Sequence, residues 1–397
     1  PHLPPSPPMI DPRPILTEID HALARWLAGS VRPGLLDGAC GAALFYAYYA
    51  ALTERDEHVD RVHSIVEDAL AALGSGALAP AHCGGIAGIA WCLHHLDERG
   101  FVDTSGDTLA AIDERLCRAV VRDVRAGARD FLHDGLGAVL YLGERAASPA
   151  IHACLVATIA ELERTATHDD RGTRWIDERT GTFNLGLAHG NPGILALVAH
   201  LHRAGVDRTR TGALLADGVR WLRSSRFAEP GAGSRYPIAV DASGAPTHHN
   251  ASRLGWCYGD LGIAVALLDA GTALADAALV AEAVSLLHHT LAHRSADDGQ
   301  VHDAALCHGS MGIAQIYRRA YLVTADPALL AGSERWIEHG IALARFPDGP
   351  AGFKHSMAHG YEPSHTLLQG VAGIGLALLA AIGPPSESAW DRSLLLS

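Results

Sequence analysis

Two stretches of the sequence, WCYGDLGI at 256–263 and LCHGSMGI at 306–313, contain the pattern that decides the fold. In each, two glycines stand three positions apart and an apolar run follows. The same pattern occurs in DGACGA from Asp37, GGIAGI from Gly84, HDGLGA from His133, HGNPGI from His189 and QGVAGI from Gln369. In the third copy Asp134 replaces the first glycine. Seven copies in one chain indicate a repeat architecture.

Amphipathic stretches alternate with these glycine turns. They have apolar residues at i, i+3, i+4 and i+7 and cover 15–29, 57–74, 108–124, 150–165, 212–225, 279–294 and 328–345. The runs after the glycines are apolar nearly all round, which is typical of buried helices. A unit of one amphipathic and one buried helix cannot bury its own apolar face, so neighbouring units must stack. The sequence predicts an all-α, double-layered α/α toroid (barrel) of about seven outer and seven inner helices, with an open solenoid as the alternative.

The domain organisation follows from the repeat. We expect a flexible Pro-rich arm at 1–14 and a single toroid domain over 15–397. Residues 224–256 lack helical periodicity and are rich in glycine, proline and asparagine. Because all inner helices run the same way, the seven turns gather on one face, and each opens a helix N-terminus that favours negative charge. We expect 224–256 to form an irregular loop or hairpin over this face.

Composition excludes several classes of function. With 31 Lys+Arg against 44 Asp+Glu, the net charge is −13, which argues against nucleic-acid binding. The longest apolar stretch, 371–382, is far below the roughly 20 residues that a membrane helix needs, so we expect no membrane insertion. Seven scattered cysteines and a start unlike a signal peptide favour a cytoplasmic protein.

The residues just before the first glycine of each turn include cysteine and histidine, which can bind a metal. The fifth turn has Cys257 and the sixth has Cys307 and His308. The two turns are neighbours in a toroid, so these three side chains can converge. Two thiolates and an imidazole suit Zn²⁺, with a fourth position open for water or substrate. The alternative is two buried structural cysteines and a capping histidine.

NLGLAHGNPGI (184–194), RLGWCYGDLGI (253–263) and LCHGSMGI (306–313), set within seven glycine repeats, resemble the lanthionine synthetase C (LanC) family of lantibiotic cyclases. The resemblance extends from about Leu16 to Ile382 and implies the same toroid. It implies a zinc-dependent enzyme of antibiotic biosynthesis, with one Zn²⁺ per chain. Its substrate would be a dehydrated precursor peptide (leader plus core), in which cysteine thiols add to dehydroalanine or dehydrobutyrine to close thioether rings. A lanthipeptide dehydratase is a second partner that the resemblance suggests.

The resemblance also assigns roles to residues. It implies the zinc ligands Cys257, Cys307 and His308 and the catalytic residues His189, Asp130, Arg253 and Tyr258. In this assignment His189 is the acid/base, and Arg253 and Tyr258 line the site. Asp134, four residues after Asp130, is a rival for the catalytic carboxylate.

Three other functions remain open at this point. A LanC-like enzyme that adds glutathione to dehydrated residues would use the same ligands. A zinc-bearing peptide-binding scaffold without catalysis would leave His189 and Asp130 unexplained. A toroidal zinc prenyltransferase is the least favoured, because its usual Asp/Cys/His ligand set differs from the one found here.

Overall fold

The structure is a computed structural model and describes residues 11–104, 109–227, 233–248 and 251–397. Its α-helices, in chain order, are α1 (Arg13–Leu27), α2 (Ala39–Thr53), α3 (Asp56–Gly74), α4 (Ile86–Glu98), α5 (Ala110–Arg125), α6 (Ala138–Glu144), α7 (Pro149–Thr165), α8 (Asn191–Arg203), α9 (Arg208–Ser224), α10 (Asp260–Ala273), α11 (Ala277–His293), α12 (Ser310–Thr324), α13 (Pro327–Ala342) and α14 (Val371–Ile382). Most of the predicted arm at 1–14 lies outside the described residues, and α1 already begins at Arg13.

The helices form two concentric layers. Each even-numbered helix begins at a glycine turn, contacts the next even-numbered helix, and is paired with one odd-numbered helix; α14 packs on α2 and so closes the inner ring. The even-numbered helices are buried almost throughout, whereas the odd-numbered helices bury one face. The predicted all-α toroid of seven outer and seven inner helices is confirmed.

A ring of backbone hydrogen bonds joins successive turns. In six of the seven turns, the residue five before the second glycine donates its N–H to the equivalent carbonyl of the next turn. The pairs are Leu36–Cys83 (2.8 Å), Cys83–Leu132 (2.8 Å), Ala188–Cys257 (3.3 Å), Cys257–Cys307 (3.2 Å), Cys307–Leu368 (3.1 Å) and Leu368–Leu36 (3.0 Å). The third turn departs from this pattern, because the Leu132 N–H donates to Asp130 Oδ1 at 2.9 Å instead.

The second glycine of each turn is required by close packing. A Cβ atom at Gly312 would collide with the carbonyl oxygen of Leu306, and one at Gly88 would collide with that of His82. The same carbonyl, six residues earlier, lies against the second glycine in every turn. A residue without a side chain is needed where backbone approaches backbone this closely, which explains why this glycine is present in all seven copies.

Short strands lie on the face that the turns share. They form three two-stranded antiparallel sheets, β1 (Thr167–Asp169) with β2 (Gly172–Arg174), β3 (Phe183–Asn184) with β4 (Ala239–Val240), and β5 (His355–Met357) with β6 (Gly360–Glu362). The irregular segment 224–256 contributes β4, which pairs with β3 immediately before the fourth turn. A bridge between Val240 and Pro246 also folds this segment back on itself as a local hairpin.

A 3₁₀ helix at Pro385–Leu394 lies inside the inner ring. Trp390 and Leu394 are fully buried there. Trp256 Nε1 donates to the Leu394 carbonyl at 2.8 Å, and His82 Nε2 donates to that of Ser393 at 2.9 Å. The periodicity of the sequence does not predict this element.

Among the described helices, none combines the length and the apolar character required to cross a membrane.

Candidate active site and metal centre

Cys257, Cys307 and His308 converge at the turns that open α10 and α12. One ligand atom from each of these residues lies within 4.8 Å of the other two. The backbone hydrogen bond from Cys257 N–H to the Cys307 carbonyl joins the two turns directly. The convergence expected from repeat equivalence is therefore present in the structure.

This donor set fits a zinc ion. Zn²⁺ binds thiolate sulfur at about 2.3 Å and imidazole nitrogen at about 2.0–2.1 Å, so one ion can bridge three donors spaced this closely. The pKa of Cys257 is lowered well below its usual value, chiefly by its hydrogen bond with Cys307, which outweighs burial, and further by His308 and Arg253. The cluster thus favours a thiolate, which is the form that binds zinc.

Asp303 is a neighbour of the cluster that sequence reasoning missed. Its Oδ2 lies 3.7 Å from Nε2 of His308, and the residue is 1% exposed. Alignment of the seven turns on their second glycines would have drawn attention to it. Asp303 stands nine residues before Gly312, as Arg253 does before Gly262.

His189, in the fourth turn, forms a close pair with Asp130 of the third. His189 Nδ1 donates to Asp130 Oδ2 at 2.7 Å. Burial alone would raise the pKa of Asp130, but the hydrogen bond and charge of His189, the His133 N–H and Arg179 lower it to about 2. Burial likewise opposes protonation of His189, yet the Asp130 carboxylate raises the pKa of the imidazole above its usual value.

The rival carboxylate, Asp134, has a different contact. Its Oδ2 accepts a hydrogen bond from the Asp130 backbone N–H at 2.9 Å. Asp130 itself accepts the N–H groups of Leu132 and His133 through Oδ1, which leaves Oδ2 facing His189. The geometry therefore pairs His189 with Asp130, and Asp134 holds the turn that carries Asp130.

Two rings flank His189. The His133 ring stacks on the His189 ring with centroids 5.7 Å apart, and the centroid of the Tyr258 ring, from the fifth turn, lies 5.9 Å from that of His189. Asn184 Nδ2 donates to the Tyr258 hydroxyl at 3.1 Å. Tyr258 follows Cys257 in the chain, so it links the imidazole–carboxylate pair to the thiol cluster. Sequence reasoning assigned no role to His133 or Asn184, although His133 occupies the same repeat position as His189.

Arg253 places a positive charge near the thiol cluster. Its charge contributes to the lowered pKa of Cys257 and opposes the rise in the pKa of Cys307 that its hydrogen bond with Cys257 and burial cause. The side chain is half-buried, and among the described residues its guanidinium has no hydrogen-bonding or ion-pair partner. A cationic group without a partner of its own can stabilise a negative charge that develops on a substrate.

A cavity of about 210 Å³ opens beside the His189–Asp130 pair. Its lining includes both of these residues together with Arg129, Arg179 and Trp175. The His189–Asp130 pair is thus accessible from a concave surface, as a site that receives a substrate requires.

Fold and site together define a class, namely toroidal α/α proteins with a Cys–Cys–His centre beside an imidazole–carboxylate pair. The chain belongs to the LanC-like family, since a family model described as lanthionine synthetase C-like protein matches residues 29–395. Among solved structures it is similar to "Nisin cyclase", with a TM-score of 0.78 and 17% sequence identity over 97% of this chain and 98% of that one. At this identity the likeness establishes the fold. A search of curated protein sequences found no match.

Proposed function

We propose that the protein is a zinc-dependent lanthipeptide cyclase. It adds cysteine thiols of a dehydrated precursor peptide to dehydroalanine or dehydrobutyrine residues of the same peptide, forming (methyl)lanthionine rings. The observation that carries the proposal is the placement of the Cys257–Cys307–His308 cluster beside the His189–Asp130 pair. Membership of the LanC-like family supports it.

Cys257, Cys307 and His308 would hold the zinc ion. When bound, zinc supplies a Lewis acid that keeps a substrate thiol ionised, whereas a free thiol of pKa about 8.5 is only about 3% ionised at pH 7. In such a site the two anionic thiolates, Cys257 and Cys307, would donate charge to the metal, so that the sulfur of a substrate thiol would stay electron-rich. The ligand set therefore suits thiol alkylation better than a site with three histidines, which suits activation of water.

His189 acts as the general acid. As the new S–C bond forms at the β-carbon, the alkene electron pair moves towards the carbonyl and produces an enolate. The enolate takes a proton at its α-carbon. Because Nδ1 of His189 is engaged with Asp130, the proton leaves from Nε2. The raised pKa of His189 increases the share of the protonated imidazole near neutral pH, which is the form that a proton donor at this step requires.

Arg253 and Tyr258 complete the site. The unpaired guanidinium of Arg253 stabilises the oxyanion of the enolate. Tyr258 packs beside His189, and its hydroxyl is fixed by Asn184. We assign Tyr258 to holding the substrate alkene against the imidazole, because most of the remaining acceleration comes from the relative position of the reactants.

The partners follow from the reaction. The substrate is a precursor peptide that a dehydratase has already processed, and we propose a reducing, cytoplasmic setting because the substrate thiols must stay free. The seven cysteines of the chain are all free in the structure. This agrees with such a compartment.

A direct test uses a synthetic peptide with one dehydroalanine and one cysteine. The zinc-loaded protein should remove the free thiol at constant peptide mass, as thiol labelling and mass spectrometry would show. A cysteine-free dehydrated peptide with glutathione is the second substrate. Turnover of this pair alone would assign the protein to glutathione addition. Absence of turnover with either pair, while the peptide still binds, would leave a scaffold and refute the proposal.

A further inference from the structure

Asp303 is a buried carboxylate that the proposed reaction does not use. Its side chain is fully buried, and its nearest basic group among the described residues is His308, at 3.7 Å from Oδ2 to Nε2. Burial of a carboxylate is costly unless it is paired or hydrogen-bonded, so the contacts of Asp303 require an explanation.

Two backbone groups fix this carboxylate. Oδ1 accepts the Ala305 N–H at 2.9 Å within the same turn. Oδ2 accepts the Ser356 N–H at 2.7 Å, and Ser356 lies on strand β5. The carboxylate is therefore held from two sides while one face of Oδ2 is directed at the imidazole of His308.

We propose that Asp303 is a positioning residue for the metal centre. Its negative charge, 3.7 Å from Nε2 of His308, favours the tautomer that carries the proton on Nε2, which leaves Nδ1 as the metal donor. Carboxylates that hold a metal-binding histidine in this way orient the ring and raise its basicity. The inference rests on the proposed function, because it takes Cys257, Cys307 and His308 as the zinc ligands.

The fourth turn shows what this repeat position does without a metal ligand nearby. Asn184 stands nine residues before Gly193, as Asp303 stands before Gly312. Its Oδ1 accepts the Gly186 N–H at 2.8 Å, the same bond that Asp303 makes with Ala305. An asparagine thus satisfies the turn. In the sixth turn the second oxygen of the acid accepts the Ser356 N–H and also faces His308, so the acid has contacts that the turn itself does not require.

The substitution Asp303→Asn tests this. It keeps the oxygen that the turn requires but removes the negative charge. We expect the zinc dissociation constant, measured by competition with a chromophoric chelator, to rise by about 10- to 100-fold. The turn bond to Ala305 remains, but the amide nitrogen cannot accept the Ser356 N–H, so the metal-free variant should unfold at a somewhat lower temperature than the metal-free wild type.

Asp260→Asn is the matched control. Asp260 is also 1% exposed and accepts two backbone N–H groups, from Arg235 and Tyr236, but it faces no metal ligand. We expect Asp260→Asn to leave the zinc dissociation constant unchanged. An equal loss of zinc affinity in Asp303→Asn and Asp260→Asn would show that Asp303 has only a structural role and would overturn the proposal.

Ser356→Pro approaches the same bond from the other side. It removes the N–H that holds Oδ2 but leaves the carboxylate in place. Asp303 should then be held less firmly, and the zinc affinity should fall by less than in Asp303→Asn. Wild-type affinity in Asp303→Asn would refute the inference alone. Wild-type protein that takes up no zinc would refute the proposed function as well.

Discussion

The third and fourth turns differ from the fifth and sixth in the way they place their functional side chains. At the fifth and sixth turns the ring of backbone hydrogen bonds is intact, and Cys257 and Cys307 themselves form one of its links. Between the third and fourth turns the link is replaced, because Asp130 accepts the Leu132 N–H that would otherwise bond to the fourth turn.

The difference separates two kinds of positioning. The metal centre follows from the repeat, since equivalent backbone positions on neighbouring turns put Cys257, Cys307 and His308 together. The His189–Asp130 pair follows from a local exception, in which the Asp130 carboxylate accepts N–H groups of its own turn and also bonds to His189 in the next turn. Substitutions at the two regions should therefore have separable consequences, one for metal binding and the other for proton transfer.

The largest effect is expected at the metal centre. Cys257→Ala and Cys307→Ala should each lose zinc and reduce ring closure to the uncatalysed rate, because the substrate thiol is then neither ionised nor held. Metal analysis and the thiol-labelling assay measure the two effects. Cys83→Ala is the control, since Cys83 occupies the same position in the second turn and should retain zinc. Helical circular dichroism should persist in all three.

A smaller effect is expected at His189. His189→Asn should keep its zinc but slow ring closure by about 10²- to 10⁴-fold, the usual contribution of a general acid. The stereochemistry at the α-carbon should also become mixed, because water would deliver the proton. His133→Asn serves as the comparison, since His133 stacks on His189 at the same repeat position. Full activity and normal stereochemistry in His189→Asn would disprove the acid assignment.

Asp130→Asn should change the pH dependence as well as the rate. Asp130 raises the pKa of His189, so activity is present below that pKa and is lost as the pH rises through it. Removal of the negative charge lowers the pKa of His189, and the basic limb of the pH–rate profile should move to lower pH. The loss at neutral pH should be about tenfold, equivalent to one pKa unit. An unmoved basic limb would show that another group donates the proton.

The smallest effect is expected for Asp134→Asn. The asparagine oxygen can still accept the Asp130 N–H, so the turn and the charge of Asp130 both remain. We expect less than about a twofold change in rate, within the range of substitutions that leave contacts intact. A loss of rate equal to that of Asp130→Asn would make Asp134 a candidate for the catalytic carboxylate again.

Much of the fold is readable from the sequence. The glycine turns and the 3.6-residue periodicity between them predict both layers, because each outer helix carries its apolar stripe and each inner helix is apolar all round. The second glycine is a backbone requirement, so it marks every turn. The positions of α3 (Asp56–Gly74) and α7 (Pro149–Thr165) agree with the stretches predicted at 57–74 and 150–165 to within one residue.

The candidate site was predictable where it follows the repeat and only in part elsewhere. Cys257, Cys307 and His308 were found by comparison of equivalent positions. Asp303 was missed because its role depends on a side-chain contact within its own turn and on Ser356, some 53 residues away. The packing of the 3₁₀ helix at Pro385–Leu394 was missed for the same reason, since its contacts with His82 and Trp256 span 311 and 138 residues.

That 3₁₀ helix connects turns that are far apart in the chain. It accepts hydrogen bonds from His82 of the second turn and Trp256 of the fifth, and its Trp390 and Leu394 are fully buried. The second and fifth turns, which are not neighbours in the ring, are thereby linked to each other through one short helix.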